Sequence, residues 1–85
     1  METNDEAPHL AQSAGAVFAG WQEAFTARFR RHGLPEERSR RLAALVVAAE
    51  EGAVVLCRAQ QSIAPMEAVA AEIHDVLTLA LSIRP

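Results

Sequence analysis

The chain has 85 residues, of which 51% are hydrophobic, with a formal net charge of −3 and a single cysteine. A chain of this length forms one domain at most and buries only about 60% of its unfolded surface when it folds alone. The negative charge excludes a general attraction to nucleic acid, and one cysteine excludes a disulfide within the chain.

The N-terminal residues and the apolar runs both indicate a protein outside membranes. Residues 1–8 carry three acidic side chains and no apolar run, so they do not form a signal peptide. The apolar runs at 42–49 and 76–83 are much shorter than the roughly 20 residues that span a bilayer. We expect a cytoplasmic protein without a membrane partner.

The first predicted helix covers about 8–32 and follows a polar stretch at 1–7, which we expect to be a disordered tail ahead of one helical domain at 8–85. Pro8 suits the first turn of this helix, and Gly33 supplies a left-handed cap at its end. The aromatic side chains share one face within an arc of roughly 80°. They either pack in the core, which we favour, or line a ligand cavity formed by Phe18, Trp21 and Phe25.

The second predicted helix covers about 35–60 and is apolar on most sides from Leu42 onward. Its first turn is acidic, and the spacing predicts two i,i+4 ion pairs, Glu36 with Arg40 and Glu37 with Arg41. A helix that is apolar on most sides must be covered on most sides. Two neighbouring helices of one short chain cannot cover it, so the pattern predicts a dimer.

The third predicted helix covers about 65–82 and starts at Pro65 after a break at 61–65. Its apolar residues fall within an arc of roughly 140°, and no alternating pattern predicts a strand. The fold class is therefore all-α, with three helices joined by short loops.

Several of these segments together resemble a known family. Trp21 lies in an aromatic helix that ends at Gly33, Pro-Glu-Glu-Arg follows at 35–38, and the apolar run occupies 42–59. Its most specific element is Glu-Gly-Ala-x-x-Leu-x-Arg-Ala at 51–59. Over residues 15–82 the chain resembles the C-terminal regulatory domain of TetR-family transcriptional regulators, in the LmrA/YxaF-like branch.

The resemblance implies a homodimer, in which the last two helices pair with those of a second copy as a four-helix bundle. It also implies a pocket for a small hydrophobic inducer, partly against the helix that carries Trp21. Residues 1–8 offer no recognition helix, so we expect no direct nucleic-acid binding by this chain, which would lack the DNA-binding domain of the family. The dimer contacts implied by the resemblance are Val47, Glu51, Val54, Val55, Arg58, Ile73, Leu77 and Leu81.

Other polar groups are better explained by structure than by chemistry. The three histidines, His9, His32 and His74, lie in separate segments without partners at ligand spacing, so we expect no metal or other cofactor. Cys57 has no visible partner for catalysis, and we interpret it as a buried hydrophobic residue. Six arginines cluster around the turn between the first and second predicted helices, and we interpret them as solvated charge. They are Arg28, Arg30, Arg31, Arg38, Arg40 and Arg41.

Glu51 and Arg58 interrupt the apolar second helix, and they either face solvent or pair across a two-fold interface.

From the apolar second helix and the resemblance together, we expect a dimerisation and ligand-sensing domain of a TetR-like regulator and not an enzyme. Two alternatives stay open: a helical interaction module that forms heterodimers with full-length regulators, and a binder of small hydrophobic ligands.

Overall fold

The computed structural model describes the backbone of residues 3–82 and the side chains of residues 10–82. Three helices make up this part of the chain: α1 at Thr3–Arg31, α2 at Glu36–Gln60 and α3 at Ala64–Ser82. No strand occurs within residues 3–82, and the predicted all-α fold with three helices is confirmed.

The start of α1 differs from the sequence-based expectation. The helix begins at Thr3 and not near Pro8, so residues 3–7 belong to it and the expected tail is helical there, while residues 1 and 2 lie outside the described part. Asp5 and Glu6 are residue types that favour a first helical turn, because the helix dipole places positive charge there. This signal lies upstream of the proline on which the predicted start depends.

The turn between α1 and α2 is a Schellman motif built around Gly33. Gly33 has a φ of 103°, a left-handed conformation that glycine adopts without steric cost. Its N–H donates to the carbonyl of Arg30 at 3.0 Å, and the N–H of Leu34 donates to the carbonyl of Phe29 at 3.2 Å. Leu34 and Phe29 also belong to one buried cluster, so the turn and the core stabilise each other.

The turn between α2 and α3 is equally tight but uses a non-glycine residue. Gln61 adopts φ 51°, and its N–H donates to the carbonyl of Cys57. The Ser62 hydroxyl oxygen then accepts the N–H of Ala64 at 3.0 Å, which satisfies a free donor at the start of α3. The break lies at 61–63, within the predicted 61–65, but the left-handed residue was not predicted, because glutamine carries no signal for it.

The core lies at one end of the molecule, where the C-terminal ends of α1 and α3 meet the N-terminal half of α2. Its fully buried members are Phe29, Leu34, Leu42, Ala43 and Val46. Partly buried apolar residues from 73–81 of α3 and from α1 pack against this cluster. The helix α2 therefore lies between the other two and contacts both.

Two polar side chains are buried with the core and are satisfied by nearby backbone carbonyls. The Thr26 hydroxyl donates to the carbonyl of Gln22 at 2.7 Å, and the Ser39 hydroxyl donates to the carbonyl of Leu34 at 3.4 Å. Within residues 10–82, no buried side-chain nitrogen or oxygen lacks a hydrogen-bond partner. These buried hydroxyls therefore leave no unpaired polar group in the core.

The chain is flat and exposes more surface than a compact monomer of its size. Its Cα atoms extend 57 × 29 × 12 Å with a radius of gyration of 15.8 Å, against about 12 Å for a compact domain of this length. The accessible surface is 6287 Å², whereas the size scaling of folded monomers gives about 4,900 Å². No residue of α3 is fully buried, so one layer of helices cannot enclose its own apolar residues.

Candidate functional site

The side of α2 that faces away from the core is apolar and open to solvent. The buried residues of α2 follow one side of the helix. Between positions 44 and 59, the residues that lie roughly 160° around the helix axis from this buried side are uncharged and exposed. We call this surface the outer face, and it consists of Leu45, Ala48, Gly52, Val55, Leu56 and Ala59.

The outer face has both large apolar side chains and a flat centre. Val55 is 64% exposed, and Leu45 and Leu56 are nearly half exposed. A Cβ atom added at Gly52 would meet no atom within 4 Å, so nothing in the described chain occupies this spot. Small residues at Ala48 and Gly52, one turn apart, let a second helix backbone approach closely.

One end of the outer face continues onto α3 through Leu79. Leu79 is 64% exposed, and it lines a groove of about 560 Å³ together with Val76, Arg38 and Arg41. Arg41 lies one helical turn before Leu45, so the groove adjoins the outer face. The apolar surface therefore spans both α2 and α3. It is basic near the first turns of α2.

The eight predicted dimer residues differ in how much of each is exposed within the single chain. Val47 is only 7% exposed within the chain and has little area left to bury. The three predicted residues of α3, Ile73, Leu77 and Leu81, pack against the chain's own core, and Val54 is half-buried. Val55 alone among the six apolar candidates lies fully open on the outer face.

The most exposed apolar residues of α2 and α3 include three that were not among the predicted contacts. Leu45 and Leu56 lie about 40–60° around the helix from the buried Leu42 and point out of the core. Leu79 was not assigned to any surface. A finer angular reading of α2 would have found the first two, whereas Leu79 carries no sequence signal of its own.

The charged pair on α2 has no ion-pair partner within the described chain. Glu51 is half-buried and Arg58 is exposed, and neither forms an ion pair among residues 10–82. Seven residues of helix separate them by about 10 Å along the axis, which is too far for a direct contact between them. Both therefore remain available at the edge of the outer face.

The aromatic stripe of α1 divides between the core and an open hollow that no residue of α2 lines. Phe29 is buried in the core, as one of the two interpretations predicts, while Trp21 is 44% exposed. Trp21, Phe25 and Phe29 line a hollow of about 670 Å³ that Leu81 closes from α3. Phe18 packs edge-on against Trp21 at 5.5 Å between ring centroids and does not line this hollow.

The hollow, which we call the aromatic hollow, has a basic rim. Its remaining lining residues are Ala24, Arg28 and His32, so every charged or titratable group there is basic or neutral. The Phe25 and Phe29 rings stack at 6.0 Å with an angle of 22° between their planes. Together these groups form an apolar wall with a positive group at one end.

Half of the arginine cluster is paired with glutamates at the surface, in keeping with its interpretation as solvated charge. The Glu36 carboxylate accepts hydrogen bonds from Arg30 at 2.7 Å and from Arg40 at 2.6 Å. Arg40 also donates to Glu23 at 3.0 Å, and Arg41 lies 3.4 Å from Glu37. Both predicted i,i+4 pairs are confirmed, and the contacts to Arg30 and Glu23 join α2 to α1.

These contacts predict a pH dependence that centres on Glu36. The hydrogen bond from Arg30 and the two nearby guanidinium charges lower the pKa of Glu36 below its usual 4.5. A carboxylate with a lowered pKa stabilises the fold above its unfolded pKa, and this contribution is lost as the pH falls through the folded value. Thermal unfolding from pH 7 to pH 3 should therefore show a smaller loss of stability for Glu36→Gln than for the native chain.

Glu37→Gln is the matched control for this measurement, since Glu37 is 87% exposed and its single ion pair is longer. It should follow the native pH profile. Identical profiles for Glu36→Gln and the native chain would contradict the assigned role of Glu36.

Within residues 10–82, no group of three or more histidine, cysteine or acidic side chains is placed to hold a metal ion. Cys57 is half-buried, and His74 lies 3.5 Å from the neighbouring Asp75 at the surface. No helix within residues 3–82 combines the length and apolar character needed to cross a bilayer.

Comparison with known proteins identifies the family of this chain. The C-terminal domain of LmrA/YxaF-like transcriptional regulators, one of the TetR C-terminal domain families, matches residues 1–72. The chain belongs to this family. The resemblance seen in the sequence is thus confirmed.

The relatives of this TetR-family domain are longer proteins. Two uncharacterized HTH-type transcriptional regulators from two strains of Mycobacterium tuberculosis are each 33% identical to it over 83 residues. The match covers 91% of this chain but only 42% of each relative. No solved structure matches the chain.

Proposed function

We propose that this TetR-family domain holds two subunits of a transcriptional regulator together through its outer face. The single observation that carries the proposal is the open apolar side of α2, where Leu45, Val55 and Leu56 remain about half exposed or more. Scattered apolar residues are ordinary on protein surfaces, but a continuous patch of this kind is typical of a protein interface. We propose accordingly that the chain forms a homodimer and is located in the cytoplasm.

The surface area of the chain supports a second copy as the partner. The accessible surface of 6287 Å² exceeds that of a compact monomer by more than about 1,000 Å². A stable interface buries about 800 Å² on each partner. Pairing the outer faces of two copies would remove most of the excess, because each α2 and α3 would then be covered on a second side.

The small residues Ala48 and Gly52 of the outer face indicate where two copies would come closest. A two-fold axis near Ala48 and Gly52 brings the two α2 helices into close contact, since neither residue has a long side chain. The two α3 helices flank this crossing and complete a four-helix bundle, with Leu79 directed into it. Glu51 and Arg58 lie at the edge, where each is available to an opposite charge on the partner.

The aromatic hollow supports a second function, the binding of a small apolar molecule. Its volume of about 670 Å³ lies within the range of typical ligand pockets. None of its lining residues belongs to α2, so a ligand in the hollow and a partner on the outer face would not compete for the same side chains. In the longer regulators, a ligand in the hollow would then influence how two subunits are held at the outer face.

Sedimentation equilibrium over a range of micromolar concentrations tests the dimer. We expect a mass of about twice the 9.2 kDa chain, with dissociation only on strong dilution. A single species at the mass of one chain throughout this range would contradict the proposal. Co-expression with a full-length relative tests the same surface in another way, since a heterodimer would use the same outer face.

A further inference from the structure

The charge around the aromatic hollow selects the kind of molecule that fits it. We propose that the hollow binds an aromatic carboxylate or sulfonate, with its ring system against Trp21 and Phe25 and its anionic group on Arg28. This inference rests on the ligand-binding part of the proposed function and adds the chemical class of the ligand.

The walls of the hollow favour a flat apolar body. Trp21, Phe25 and Phe29 present three rings, and Leu81 faces them from α3. Aromatic rings pack well at offset or edge-on distances of about 4.5–7 Å, and the stacked pair Phe25–Phe29 already has this spacing, with 6.0 Å between centroids. An aromatic ligand would continue the same stacking.

Arg28 provides the positive group, and nothing in the described chain neutralises it. Arg30, Arg40 and Arg41 all pair with glutamates, but Arg28 has no ion pair among residues 10–82. The positions one helical turn from it on either side are Ala24 and His32, so α1 supplies no acid there. A planar guanidinium binds a carboxylate or sulfonate through two parallel hydrogen bonds.

Acidic residues of α2 lie in a groove beside the hollow, which Arg28 does not line. Glu50 and Glu51 line a separate groove that shares Trp21 and Phe25 with the hollow. Charge along the stripe therefore changes from acidic near α2 to basic near the end of α1. An aromatic anion gains by placing its charged group at Arg28, and a cation of the same shape would be repelled there.

The end of α1 does not oppose an anion as strongly as a free helix end would. The negative end of a helix dipole arises from unpaired carbonyl groups. Here the carbonyls of Arg28, Phe29 and Arg30 all accept backbone N–H groups from 32–34. The Schellman turn therefore pairs three carbonyl groups that would otherwise oppose an anion there.

Two dyes that differ only in an anionic group test this assignment on the intact chain. The anionic probe is 8-anilinonaphthalene-1-sulfonate, and N-phenyl-1-naphthylamine has the same rings without the sulfonate. Trp21 is the single tryptophan, so energy transfer from Trp21 to the dye reports binding to the chain, and the variants at Arg28 and Phe25 show whether the dye lies in the hollow. We expect tighter binding of the sulfonate than of the neutral dye.

Arg28→Gln should weaken sulfonate binding at least about tenfold, because losing even one hydrogen bond to a charged group has an effect of this size. It should change neutral-dye binding less than about twofold. Arg31→Gln is the matched control, because Arg31 lies in the same basic run but does not line the hollow. Phe25→Ala should weaken both dyes.

Three results would overturn the assignment. If Arg28→Gln leaves sulfonate binding unchanged while Phe25→Ala weakens both dyes, ligand binding stands but its anionic class is wrong. If Arg28→Gln and Arg31→Gln weaken the sulfonate equally, the attraction is general and not a site. If neither dye accepts energy from Trp21, the hollow is no ligand site, whereas the dimer proposal still depends on sedimentation alone.

Discussion

Replacing Val55 by lysine is expected to convert the proposed dimer into a folded monomer. Val55 is 64% exposed in the single chain, so the substitution removes little intrachain packing. The new lysine side chain would follow Glu51 at i,i+4, a favourable orientation for an ion pair on a helix. In the dimer, by contrast, each copy would place an ammonium group in a dry interface, at a cost of several kcal/mol.

The measurable effect is a rise of more than about a hundredfold in the dimer dissociation constant, since each 1.4 kcal/mol changes it about tenfold. Sedimentation gives the mass, and circular dichroism checks that helix content stays the same. Val17→Lys is the matched control, because Val17 is a valine in a helix with a similar exposure of 49% but lies on α1. Dissociation by both variants, or by neither, would contradict an interface on the outer face.

Replacing Phe29 by alanine is expected to remove a large part of the stability of the fold. Phe29 is 4% exposed in the core cluster, and its carbonyl accepts the Leu34 N–H in the turn to α2. Truncating a buried phenylalanine costs about 3–5 kcal/mol through lost transfer energy and the cavity left behind. The total stability expected for 85 residues is only about 4–13 kcal/mol.

Urea unfolding followed by circular dichroism measures this loss. Phe18→Ala removes the same side chain from a half-buried position of the same helix, so it should cost clearly less and serves as the control. Equal losses for Phe18→Ala and Phe29→Ala would mean that the stripe is stabilised uniformly. That result would contradict the finding that Phe29 lies in the core and Phe18 does not.

Signals within a few residues of each other were sufficient to predict the helices of this domain. The bounds of α2 and α3 agree with prediction to within a residue at each end, because Gly33, Pro35 and Pro65 act through backbone conformation at their own positions. The ion pair between Glu36 and Arg40 also follows from spacing alone. The contacts of Glu36 with Arg30 and of Arg40 with Glu23 depend on how α1 meets α2, and spacing could not predict them.

The amino-acid sequence by itself determined the three helices, the turns between them, the family and the excess of apolar surface on α2. Only the tertiary structure decided which side of α2 the other helices leave open and which residues of α3 pack inward. A hydrophobic pattern indicates that a side must be buried, but it does not indicate against what. Val47, Ile73 and Leu77 are covered within the chain, whereas Leu45, Leu56 and Leu79 are left exposed, because helix orientation depends on contacts between distant residues.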